Sequence, residues 1–259
     1  MPLRHSDKGA AFLAGLNFSE PLREALSRRV PTHGPAIKIC GLSTPATLAC
    51  ALDAGTDFVG FVFFPKSPRH LALETAAHLA IVTGLRAVKV ALTVDADDDA
   101  LEAIVSRVGP DMLQLHGHET PQRVAEIKAR FGLPVLKAIG VSGAADLAAV
   151  ADYADVADRL LFDAKPPAGA DLPGGNGLAF DWDILKDVGL QRPFMLSGGL
   201  DARNVVEAAV RTGAGAVDVS SGVESAPGQK DAARIAAFVR TLRSAAGDIE
   251  TLGSDGATR

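Results

Sequence analysis

Between residues 36 and 245 the chain alternates eight times between a short apolar, β-branched run and a stretch of helical periodicity. No other feature constrains the fold as strongly. The connections hold helices rather than tight turns, so neighbouring strands run parallel, and eight such units close as a barrel. Strands are read at 36–40, 58–64, 88–94, 112–115, 135–139, 160–163, 194–196 and 216–219. Thr44-Pro45 and Thr120-Pro121 each pair a capping hydroxyl with a proline suited to the first helical turn. Leu101, Ile104, Val105 and Val108 form one helical stripe, as do Ile235, Phe238, Val239 and Leu242. Further helices are expected at about 47–54, 73–83, 144–153, 181–188 and 202–212, with a Pro/Gly loop over 166–177. The first strand ends in Cys40-Gly41-Leu42-Ser43, which lacks the G-x-G-x-x-G turn of an open, doubly wound sheet. The expected fold class is α/β: a single (β/α)8 TIM barrel with an N-terminal extension. Residues 1–35 form that extension, helical or disordered, 36–246 the barrel, and 247–259 a polar tail.

Composition narrows the function. At 259 residues the chain has the size of one barrel. Its 26 Lys+Arg and 31 Asp+Glu are interspersed, so no basic face for nucleic acid is expected. The longest apolar runs, such as 58–64, fall well short of the ~20 residues that span a bilayer. The first nine residues carry no signal-peptide core. Cys40 and Cys50 are too few for a disulfide framework and lack metal-knuckle spacing, which fits a reducing, cytoplasmic setting. His116 and His118 have no third ligand at partner spacing, so no metal site is expected.

In a parallel barrel the chemistry sits at the carboxyl ends of the strands. Candidates there are Cys40, Arg69, Asp95, Gln114, His116, Lys137, Asp163, Lys165, Ser197, Gly198, Gly199, Asp218, Ser220, Ser221 and Gly222. Ser197-Gly198-Gly199, opening a helix after the seventh strand, and Ser220-Ser221-Gly222 after the eighth could offer backbone amides to a phosphate. Gly175 and Gly177, in Gly174-Gly175-Asn176-Gly177, could add more. Arg69 could grip a carboxylate through two parallel hydrogen bonds or stand as a surface arginine. Cys40 is open to two readings, a thiolate held near a cation or a small buried hydrophobe. Asp163 emerges from an apolar strand as a proton donor, or pairs with Lys165 or Lys38. Cys50, inside the first barrel helix, fits a packing role.

Seven motifs in order resemble those of the phosphoribosylanthranilate isomerase family. They are Lys38-Ile39-Cys40-Gly41, Phe58-Val59-Gly60-Phe61 with Ser67-Pro68-Arg69, Leu113-Gln114-Leu115-His116-Gly117, Leu161-Phe162-Asp163, Gly174-Gly175-Asn176-Gly177, Ser197-Gly198-Gly199-Leu200, and Asp218-Val219-Ser220-Ser221-Gly222-Val223-Glu224. Ser197 stands where alanine is more usual, and Asn176 replaces a common threonine. The resemblance implies an aldose–ketose isomerase of tryptophan biosynthesis that works by Amadori rearrangement without metal or cofactor. It implies Cys40 as general base, acting as thiolate, and Asp163 as general acid. Arg69 would hold the anthranilate carboxylate, and Gly175, Gly177, Ser197, Gly198, Gly199, Ser220, Ser221 and Gly222 would line the phosphate side. His116 and Asp218 would orient the reacting groups. The expected partner is a phosphorylated small molecule, with no nucleic acid or membrane, and a monomer or homodimer as the assembly. The related aminoaldose isomerase of histidine biosynthesis places an aspartate where this chain has Cys40. A non-catalytic phosphate-binding barrel would need neither acid nor base.

Overall fold

The computed structural model describes residues 8–28, 34–166, 172, 174–175, 177, 179–187, 190 and 192–246. Two short helices, α1 (Lys8–Leu13) and α2 (Glu20–Ser27), come first. Eight parallel strands then close into a barrel in sequence order. They are β1 (Ala36–Cys40), β2 (Phe58–Phe63), β3 (Val88–Thr93), β4 (Met112–Leu115), β5 (Val135–Val141), β6 (Arg159–Ala164), β7 (Met195–Leu196) and β8 (Ala216–Val219). The ring is sealed where β8 pairs with β1, Ala36 beside Ala216 and Lys38 beside Asp218. Around it lie α3 (Pro45–Ala54), α4 (Leu73–Thr83), α5 (Asp98–Val108), α6 (Pro121–Phe131), α7 (Val150–Ala154), α8 (Val205–Thr212) and α9 (Ala232–Ser244). A small antiparallel ribbon, β9 (Glu224–Ala226) with β10 (Gln229–Lys230), follows β8. Among the described residues no helix is long and apolar enough to cross a membrane.

Local chemistry explains the boundaries. The Thr44 and Thr120 hydroxyls accept from the amides of Thr47 and Arg123 at 3.3 and 3.2 Å, each beside a proline in the first turn. Helix α3 stops at Gly55, whose φ of 89° suits a residue without Cβ. Three segments depart from the sequence reading. The alanine-rich stretch begins as a 3-10 turn, Ala144–Ala149, and only then becomes α7. The Asp146 carboxylate accepts from Ser142 N, Ser142 Oγ and Gly143 N, and this clasp tightens the entry. Helix α8 starts at Val205, later than the expected 202, because Asn204 reaches back to Gly199 O and Asp201 N and holds a turn there. The segment expected as a helix over 181–188 is a 3-10 turn, Trp182–Asp187. Most of the expected 166–177 loop and the 247–259 tail lie outside the described residues.

Side chains alternate across each strand. One set, including Ile37, Ile39, Val59, Phe61, Leu113 and Val217, packs under the helices. The inward set is layered. Phe58, Val88, Met112, Leu161 and Met195 fill the floor together with Phe12, Leu16, Phe18, Leu22 and Leu26 from the N-terminal segment. Phe12 meets Phe58 edge-on with centroids 5.8 Å apart. Arg159, buried at the start of β6, donates to the carbonyls of Phe12 and Ala14 and so caps the end of α1. Above the floor the inward positions become mixed, with Lys38, Gln114, Asp163 and Asp218 beside an apolar patch of Val62 and Leu92.

Candidate active site

This upper layer surrounds an open cavity at the carboxyl ends of the strands, about 730 Å³ with the solvent at its mouth included, lined by polar and apolar side chains together. Cys40 and Asp163 both line it, brought in by β1 and β6, three strands apart around the ring. Each is only 4% exposed.

Cys40 sits in a charged wall. Lys38, two residues earlier on the same inward face, is fully buried and bonds Asp218 at 3.0 Å. Burial pushes the Cys40 thiol up; the Lys38 and Lys230 charges pull against this, Asp218 adds to it, and the net direction is upward. The free protein therefore favours the thiol, where the sequence reading expects a thiolate. Desolvation of the sulfur outweighs its neighbouring cations.

Asp163 makes neither ion pair considered from sequence. Lys38 goes to Asp218, and Lys165 swings outward to Asp146 at 2.6 Å. Instead Asp163 Oδ1 accepts from Ala164 N at 2.9 Å, and Oδ2 lies 3.3 Å from His116 Nε2. The Gln114 side-chain amide meets His116 Nδ1 at 2.9 Å and so fixes the ring beside the acid. A Cβ on Gly174 would collide with Asp163 Oδ2 and His116 Nε2, so only glycine lets this backbone cover the carboxyl group. His118 belongs elsewhere: it is exposed and pairs with Asp95 at 3.2 Å.

Arg69 is buried, and its two-toothed grip falls on a protein carboxylate. Nε and Nη2 donate to Glu224 Oε1 and Oε2 at 2.7 and 2.8 Å, and Nη2 also reaches Gly175 O at 3.4 Å. Nη1 lies 2.8 Å from the point a Gly175 Cβ would occupy, and the residue lines the cavity. Glu224 is held from its other side by Lys230 at 2.6 Å. The Lys230 ammonium also donates to Ser220 O and Oγ at 2.9 and 3.1 Å.

Gly175, Gly177, Ser197, Gly198, Gly199, Ser220, Ser221 and Asp218 all border the cavity, while Asn176 lies outside the described residues. Gly222 does not line it. A Cβ there would strike Leu200 O, so this glycine seats the β8 loop against the β7 loop. The glycines after β7 line the cavity and are separated from α8 by the Asn204 turn, so the helix does not start directly behind them. Lys137 faces outward, bonded to Glu119 at 2.9 Å and to Gly117 O at 2.7 Å, and takes no part in the site. Cys50 points away as well, its sulfur 3.2 Å from Ala232 O. Sequence reasoning weighed Lys38 only as a partner for Asp163 and passed over Glu224 and Lys230 as site-shaping groups. The available signals were a lysine at an inward position of an apolar strand and a glutamate closing the last motif.

Comparison with known proteins fits this geometry. The family model described as N-(5'phosphoribosyl)anthranilate (PRA) isomerase matches residues 37–241. The chain is 62% identical over 207 residues to the N-(5'-phosphoribosyl)anthranilate isomerase of Rhodopseudomonas palustris (strain BisB18), covering 80% of this chain and 95% of that one. It is 61% identical over 209 residues to the protein of the same name from Nitrobacter winogradskyi, covering 81% and 93%. The crystal structure of phosphoribosyl anthranilate isomerase from Thermotoga maritima superposes with a TM-score of 0.73 at 32% identity, over 81% of this chain and 99% of that one. A further such structure, in complex with reduced 1-(o-carboxyphenylamino)-1-deoxyribulose 5-phosphate, superposes at 0.70 with 31% identity, over 81% and 99%. With the ordered motifs, the closed barrel and these matches in agreement, the chain belongs to the N-(5'-phosphoribosyl)anthranilate isomerase family.

Proposed function

We propose that this protein converts N-(5-phosphoribosyl)anthranilate to 1-(2-carboxyphenylamino)-1-deoxyribulose 5-phosphate, a step of tryptophan biosynthesis. The observation that carries the reading is one cavity bordered by both Cys40 and Asp163, with the glycine–serine loops after β7 and β8 on its rim. Asp163 gives a proton to the furanose ring oxygen as the bond from that oxygen to C1 breaks, which leaves an imine between C1 and the anthranilate nitrogen. Cys40, as thiolate, then takes the proton from C2, and the electron pair moves toward the imine nitrogen. The enolamine so formed tautomerises to the ketone, returning acid and base to their starting states. The imine nitrogen is the electron sink.

The remaining assignments follow from charge and reach. Arg69 keeps Nη1 for the anthranilate carboxylate while Glu224 fixes its other two nitrogens. Loop amides around Gly175, Gly177, Gly198, Gly199 and Ser221 take the phosphate, with Ser197 and Ser220 beside them. His116 orients Asp163, and Asp218 orients Lys38. Anchoring both ends of the substrate sets C1 and C2 between acid and base. The protein acts in the cytoplasm as a monomer or homodimer, with a phosphorylated small molecule as its partner.

The test is direct. Purified protein should consume phosphoribosylanthranilate generated in situ, followed by loss of anthranilate-type fluorescence. Cys40→Ser and Asp163→Asn should each lose at least ~100-fold in turnover. Parental turnover in either variant would remove that residue from its role.

A further inference from the structure

The wall behind Cys40 holds an unequal set of buried charges. Lys38 comes from β1, Asp218 from β8, Glu224 from β9, Lys230 from β10, and Arg69 from the loop after β2. Lys38 bonds Asp218 at 3.0 Å and also faces the sulfur, where its charge is the foremost one favouring the thiolate. Glu224 must serve two cations: Arg69 through both oxygens, and Lys230 at 2.6 Å. The side chains of Lys230 and Glu224 are 1% and 3% exposed, so water screens neither. Among the described residues facing Cys40, three cations therefore meet two carboxylates. His116 and Asp163 face it from across the cavity, and at the start of α9 the Asp231 carboxylate accepts from Arg234 N while Arg234 Nη1 donates to Glu224 O. A buried excess charge is costly unless an anion forms beside it.

We propose that Lys230 is a positioning residue for the isomerisation: its buried ammonium, sharing one carboxylate with Arg69, is a second counter-charge, beside Lys38, that favours Cys40 as the thiolate. The inference rests on Cys40 being the base. Lys230 does not border the cavity; it acts through the sulfur and through Ser220, whose hydroxyl donates to Cys40 O at 3.2 Å. Two opposed tendencies agree with this placement. Burial raises the Cys40 thiol and lowers the Lys230 ammonium, so each group gains by the other's ionisation. A proton leaving the sulfur with Lys230 charged turns an excess cation into an ion pair.

The measurement is the rate of Cys40 alkylation by iodoacetamide against pH, resolved by peptide mass spectrometry so that Cys50 does not interfere. Alongside it runs the ascending limb of kcat/KM. Lys230→Met keeps the apolar stem and removes the charge. Both midpoints should rise together by about one pH unit or more, with the lost activity recovered at alkaline pH. Glu224→Gln removes the shared carboxylate and should move the alkylation midpoint in the opposite direction, which no loosening of the loop would do. An alkylation profile unchanged in folded Lys230→Met overturns the proposal. If that variant does not fold, an unmoved or raised midpoint in Glu224→Gln overturns it instead. An inactive Cys40→Ser with an unmoved profile removes only the role of Lys230. An active Cys40→Ser removes the base reading, whatever the profile does.

Discussion

Gly60 stands directly beside Cys40 in the β1–β2 pairing, and a Cβ on it would fall 2.9 Å from the sulfur and 3.0 Å from the Cys40 Cα. The same point is 3.2 Å from Lys38 Nζ. The space is needed empty, because one of its neighbours is backbone and cannot swing aside. Gly60→Ala should displace the sulfur and the ammonium together, at ~1–3 kcal/mol of overpacking. We expect a fall in kcat of at least ~10-fold with an unchanged far-ultraviolet circular dichroism spectrum. A folded variant with parental kcat would show that the position of the sulfur is not critical.

Arg69 spends two of its nitrogens on Glu224 and keeps the third for the cavity. A lysine has one nitrogen and cannot do both. Arg69→Lys should raise KM for phosphoribosylanthranilate by at least ~10-fold and leave kcat within a few-fold, about 1.4 kcal/mol of lost binding. Inhibition by inorganic phosphate, which makes no use of Arg69, should be unchanged. Steady-state kinetics with both ligands checks the split.

Acid should loosen the same cluster. Burial alone pushes the Glu224 carboxyl up, but the hydrogen bonds and charges of Arg69 and Lys230 outweigh it and hold the group below the ordinary glutamate range. A folded-state pKa below the unfolded one gives stability that is complete above the unfolded value of about 4.3. That stability is lost as pH falls through the folded value. The parent should therefore lose melting temperature more steeply below pH ~4 than Glu224→Gln, which has nothing to protonate there. Thermal melts between about pH 3 and 6 read the difference directly.

Phe12 belongs to no part of the site, yet it is fully buried against the barrel floor. Phe12→Ala should cost ~3–5 kcal/mol and lower the melting temperature, with kcat per folded molecule unchanged. Removing residues 1–28 should do more, since Arg159 then loses the carbonyls it caps. A truncated chain that melts with the parent would mean the floor closes without its leader.

The barrel was legible because its signals are local. β1, β4 and β8 fall at the residues read from sequence, each a short apolar run between a turn signal and a cap. What escaped depends on partners distant along the chain. Arg69 reads as a loop arginine until Glu224, 155 positions later, is folded against it. Lys38 and Asp218 are 180 positions apart and meet only because β8 closes onto β1. Phe12, Leu16, Leu22 and Leu26 are scattered among charges, and the surface they cover comes from all eight strands. The late start of α8 was hidden because Asn204 competes with the helix by bonding main chain nearby, a choice that helical periodicity does not record. Cys40 and Asp163 were found by position at strand ends. The state of the sulfur was not, because it is set by burial together with Lys38, Asp218 and Lys230, which come from three different segments.

Closing the floor with the chain's own first residues has a consequence for the opposite rim. Lys38, Arg69, Asp218, Glu224 and Lys230 give up hydration that pairing only partly restores, so the upper end is a poor place to look for cohesion. The hydrocarbon gathered around Phe12 supplies that cohesion where no bond is made or broken. Substitution can then retune reactivity at the rim while the floor keeps the molecule whole.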